Sequence, residues 1–63
     1  MSDVRIEGTV DDGNEPFVVD MGDIFTHIMI GDMGITCRSL MLDNQDAIKV
    51  AESILRAAQE KGL

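Results

Sequence analysis

The sequence predicts an α+β domain: a small antiparallel four-stranded meander followed by one C-terminal helix packed on one sheet face (ββββα). Three observations lead there. Residues 4–42 carry apolar side chains in alternation or in short β-branched runs, interrupted by Gly, Asp and Pro clusters, which is strand and turn chemistry. Residues 47–58 instead place Ala47, Val50, Ala51, Ile54, Leu55 and Ala58 on one helical stripe. The chain has 63 residues, which is room for a single domain over 1–63.

Val4–Val10 (VRIEGTV) alternates, with Val4, Ile6 and Val10 pointing one way and Arg5, Glu7 and Thr9 the other. Gly8 inside this strand marks a bulge or a close approach of another group. Asp11-Asp12-Gly13-Asn14-Glu15-Pro16 is a turn, and Pro16, lacking an N–H, puts the start of the next strand at Phe17. Phe17–Met21 is the second strand. Gly22-Asp23 then fits a two-residue type II′ turn, setting Met21 opposite Ile24, Val19 opposite Thr26 and Phe17 opposite Ile28. One face of this pairing is strongly apolar; the other holds Val18, Asp20, Phe25, His27 and Met29.

The stretch Ile24–Leu42 is a hairpin broken at Gly31-Asp32-Met33-Gly34. Two registers compete. Pairing Ile30 with Ile35 puts Cys37, Ser39 and Met41 on the apolar face; a three-residue loop puts Thr36, Arg38, Leu40 and Leu42 there. A slip of one residue exchanges every side chain between faces. The first register is favoured because it keeps Arg38 out of the core. It places His27 directly across from Arg38 and Asp20 diagonally from His27.

Asp43 then caps the helix, with Asp46 three residues on as a weak capping box. Lys61 followed by Gly62 ends it. The stripe of small residues (Ala47, Ala51, Ala58) allows the helix to approach the sheet closely.

Charge narrows the function classes. Residues 1–46 hold ten acids against Arg5 and Arg38, a net of −8, while residues 47–63 hold three cations against Glu52 and Glu60, a net of +1. Such a field repels nucleic acid and anionic membranes and suits a basic protein surface. No apolar run approaches the roughly 20 residues of a membrane span, and MSDVRIEG lacks the pattern of a signal peptide. Together with a single cysteine, these point to a cytoplasmic setting.

Cys37 and His27 stand alone, so neither an internal disulfide nor a His/Cys metal site within one chain is expected, and no cofactor motif appears. No acidic turn has EF-hand spacing, and Gly31–Gly34 has no lysine for a phosphate loop. In the favoured register Cys37 faces the core, where a free cysteine acts as a small hydrophobe. A chain this short has a marginal core, and with disulfide and metal ruled out the remaining staple is self-association, as a homodimer or higher homo-oligomer.

The chain has no element left to cover the second sheet face. In the favoured register that face offers Asp20, Phe25, His27, Met29, Thr36, Arg38 and Leu40: apolar anchors with a few orienting polar groups, the pattern of a protein interface. Met33 at the hairpin tip joins them, because a methionine there gains little without a partner. One histidine on a flat sheet lacks the companions a catalyst needs, so no enzyme is expected.

In size, want of catalytic groups and one-sided charge, the chain resembles in general character the small accessory and host-inhibiting proteins encoded by phages and mobile elements, a likeness carried by no motif. The functional expectation is a non-enzymatic, acidic protein-binding module. The alternative is a binder of a small anionic metabolite or nucleotide, with a site at the oligomer seam built from His27, Arg38 and Thr36.

Overall fold

The computed structural model describes residues 3–31 and 37–63. Strands β1 (Val4–Val10), β2 (Glu15–Met21), β3 (Phe25–Ile30) and β4 (Arg38–Asp43) form one antiparallel sheet in the order β1-β2-β3-β4, and helix α1 (Asn44–Lys61) follows. This is the predicted meander and helix, except that β2 begins at Glu15 rather than Phe17: Pro16 is inside the strand, opposite Thr9.

Cross-strand partners share a face of an antiparallel sheet, so the pairing register can be read as rows. One face carries Val4–Met21–Thr26–Leu42, then Ile6–Val19–Ile28–Leu40, then Gly8–Phe17–Ile30–Arg38, and finally Val10–Glu15. The other carries Arg5–Asp20–His27–Met41, then Glu7–Val18–Met29–Ser39, with Thr9–Pro16 beyond them and Phe25–Asp43 at the opposite end. Helix α1 lies over the first face, resting chiefly on β4 and β3. We call the first the helix face and the second the open face.

Both hairpin registers differ from the predicted ones. Met21 pairs with Thr26, not Ile24, so the β2–β3 connection is two residues longer than a two-residue turn. Gly22 does not adopt the left-handed backbone that a type II′ turn requires; instead its N–H donates to the Phe25 carbonyl at 2.9 Å. A shift of two preserves the faces, because side chains alternate with period two. It removes only Ile24, which sits in the turn and is exposed.

The β3–β4 register corrects the favoured reading. Ile30 pairs with Arg38 rather than Ile35, a shift of three, and an odd shift exchanges the faces of β4. Arg38, Leu40 and Leu42 therefore lie on the helix face, with Ser39 and Met41 on the open face. The physical argument for keeping Arg38 off the apolar face fails because that position is at the sheet's rim. The Arg38 side chain is exposed and donates from Nη2 to Glu15 Oε2 at 3.0 Å. Cys37, expected in the core, is exposed. Ile35 falls outside the described residues.

The helix begins with no linker after β4. Asp43, extended, accepts a hydrogen bond on Oδ1 from the Asp46 N–H at 2.8 Å. At the far end Gly62 takes a left-handed φ of 83° and its N–H reaches the carbonyls of Ala58 and Gln59. Both caps are those the sequence predicted.

A small polar knot holds the helix start to the sheet. The Thr26 hydroxyl donates to Asn44 Oδ1 at 2.8 Å, and Asn44 Nδ2 donates to the Gly22 carbonyl at 2.9 Å. Thr26 is 1% exposed, and Ala47, at 8%, is the one buried apolar residue among those described. The helix is therefore anchored at its first turns; along the sheet face Phe17, Val19, Ile28 and Ile30 are half-buried, and Val4, Ile6, Val10 and Leu40 are exposed.

Candidate functional site

The open face is where the sequence places a candidate interface. Its geometry follows from the rows above. Asp20 stands directly across from His27, and Met41, not Arg38, flanks His27 on the far side. Of the residues expected there, Asp20, Phe25, His27 and Met29 are brought together on this face. Arg38 and Leu40 sit on the helix face instead, while Thr36 and Met33 lie outside the described residues. Met41 and Ser39 are additions that the favoured register assigned to the core. The signal that would have found them was the parity of the β3–β4 connection.

The electrostatics of the open face turn on Arg5. Its guanidinium donates from Nη1 to Asp20 Oδ2 at 2.9 Å and from Nε to Glu7 Oε2 at 3.3 Å. Arg5 is the one cation in the rows of this face, and it is held by two carboxylates. On the helix face Arg38 is held by Glu15. The two cations that precede the helix are thus both engaged, and the acids in the turns, Asp11, Asp12 and Asp23, remain exposed. Such partly exposed ion pairs add little stability, and they leave the exposed turn acids as the uncompensated charge.

The open face is otherwise mixed. Phe25 is 55% exposed and Met41 60%. A shallow hollow of about 350 Å³, lined by Arg5, Pro16, Phe17, Val18, Met29, Gly31 and Cys37, lies toward one end. Asp20, His27 and Ser39 neighbour one another in the rows, yet among the described residues no hydrogen bond joins them, and Asp20 is already paired with Arg5. Acyl-transfer chemistry needs a nucleophile bonded to its base and a site sheltered from water; this arrangement supplies neither. Among the described residues no three His, Cys, Asp or Glu side chains are grouped to hold a metal ion, and no helix is long and apolar enough to cross a membrane.

The anion site expected from His27, Arg38 and Thr36 does not assemble within one sheet: His27 and Arg38 project from opposite faces.

A second feature was not anticipated from the sequence. Between the outer half of α1 and the sheet runs an apolar groove of about 780 Å³, lined by Val10, Phe17, Ile28, Ile30, Ala51, Ile54 and Leu55. The sequence predicts the helix packed closely on this face, with no such gap.

No family model matches the chain, and no curated protein or solved structure matches it either.

Proposed function

We propose that this chain is a small, acidic, non-enzymatic protein-binding module that works as a homo-oligomer and occupies a basic surface of a larger protein. Its most concrete form is a cytoplasmic inhibitor of a host protein, of the kind phages and mobile elements encode.

The observation that carries this reading is the pairing of Arg5 with both Glu7 and Asp20. It leaves the open face without a spare cation while Phe25, His27, Met29 and Met41 stay available as contact groups. Apolar anchors within an acidic field suit a partner bearing Lys and Arg, and the charge speeds encounter more than it deepens affinity. The small-anion alternative has less support, since both Arg5 and Arg38 already serve carboxylates.

The test is affinity purification from the cells that encode the protein, followed by Phe25→Ala and Met41→Ala in the same assay. The reading expects a stoichiometric basic protein whose capture weakens with salt and with either substitution. Capture indifferent to both contradicts it. A rise in melting temperature with inorganic phosphate or a nucleotide, and no protein partner, would favour the anion reading instead.

A further inference from the structure

We infer that the groove between α1 and the helix face of the sheet is closed by a second copy of this chain, whose α1 lies alongside the first in a two-fold dimer. The inference deepens the self-association part of the proposed function and is independent of the basic partner.

Surface area is the first argument. A folded monomer of 6.9 kDa is expected to expose about 4,000 Å², whereas this chain exposes 5258 Å². The difference is about 1,300 Å² per chain, comparable to what one partner of an obligate homodimer buries. The radius of gyration agrees: it is 13.0 Å, against about 10.6 Å for a chain of this length folded on its own core.

The second argument is where that excess lies. Ile54 and Leu55 are each 64% exposed, and Val4, Ile6, Val10 and Leu40 on the same side of the molecule are all exposed. The chain therefore leaves bare an apolar groove, one wall of which is the exposed stripe of α1 itself. In a two-fold interface the same patch serves both partners, so one contact covers both surfaces.

Charge is the third. The rows of the helix face contain two charged residues, Glu15 and Arg38, bonded to each other at its rim. A chain of net charge −7 thus keeps this one face neutral, and a neutral face can be buried against its own copy without opposing like charges. A basic partner gains nothing there.

The chain's own helix does not close the gap. Its direction is fixed at the start, where Asn44 is bonded to Thr26 and to the Gly22 carbonyl and β4 runs straight into α1. From that start it lies over β4 and β3 rather than β1 and β2.

The decisive experiment mixes isotope-labelled and unlabelled protein and records filtered NOEs, which report contacts between copies alone. The inference expects NOEs from the methyls of Ile54 and Leu55 to Val10, Phe17 and Ile28 of the other copy. A folded monomer overturns it, whether its groove stays empty or takes up an apolar small molecule. So does a dimer whose NOEs run through Val18, His27 and Met41 or along a strand edge.

Substitutions give an independent reading. Ile54→Asp and Leu55→Asp should each weaken association about 30-fold or more, the scale of an interface hot spot. Ile24→Asp, at a turn residue 65% exposed and remote from the groove, should leave association unchanged. Equal effects from all three contradict the inference. If the groove variants unfold instead, the melting temperature of the wild-type protein decides: it should rise with protein concentration, and a concentration-independent melt overturns the dimer. A dimer that binds no basic protein keeps this inference and removes the partner reading; a monomer that binds one does the reverse.

Discussion

Thr26, Asn44, Gly8 and Gly13 show how single residues set the fold. The Thr26 hydroxyl is buried and has Asn44 Oδ1 as its acceptor. Asn44→Ala should cost about 1–3 kcal/mol, because it strands that hydroxyl without a partner. Thr26→Val removes the hydroxyl itself and should cost less. Urea unfolding of the two variants checks the order, and the reverse order would mean the knot does not anchor the helix. Gly8 is required for a different reason. A Cβ there would stand 2.6 Å from two ring carbons of Phe17, so the ring lies directly over the glycine. The sequence marks Gly8 as a bulge or a close approach; the β1–β2 register runs unbroken through it, and the approaching group is the Phe17 ring. Gly8→Ala should cost about 1–3 kcal/mol as overpacking, seen as a lower denaturation midpoint. Asp11, Asp12 and Gly13 all take positive φ, 56°, 54° and 86°. Asp tolerates this backbone better than most residues, which is why an acidic pair precedes a glycine in that turn.

At the scale of elements, strands β1 to β3 and the helix were legible and β4 was only half so. Alternation defined β1, and helical spacing with Asp43 and Gly62 defined both ends of α1. The β2–β3 turn was misplaced by two residues at no cost to the faces, since period two absorbs an even shift. The β3–β4 connection was misplaced by three, and the same periodicity turned that into an exchange of faces. Nothing local decided it. Arg38 looked unsuitable for an apolar face because its ion pair with Glu15, from a strand two places away in the sheet, is invisible in sequence. For the candidate site this means that Asp20, Phe25, His27 and Met29 on β2 and β3 share a face as the sequence predicts, while Arg38 and Leu40 on β4 lie on the other and Thr36 and Met33 fall outside the described residues. The cap at Asp43 is testable by itself. Asp43→Ala should lower stability by about 1 kcal/mol and reduce helical signal in circular dichroism; an unchanged melt would mean that other contacts fix the helix start. Arg38→Ala, by contrast, removes an exposed pair and should change unfolding by less than about 1 kcal/mol.

At the scale of the whole molecule, the sheet presents two faces of different character. Its helix face is apolar and neutral; its open face is mixed and, with the turns, acidic. Burying the first against a second copy would supply the core that Ala47 and Thr26 alone do not, and it would leave the second free for a basic partner. Salt should then act oppositely on the two contacts. Association between copies that each carry −7 is opposed by repulsion, which salt screens, whereas capture of a basic protein is favoured by attraction, which salt also screens. The most direct measurement of the central claim is sedimentation equilibrium of the purified protein at low and high salt. A two-fold dimer gives twice the 6.9 kDa chain mass, with association as tight or tighter at high salt. A single-chain mass at every concentration, with a sharp cooperative melt, would contradict it.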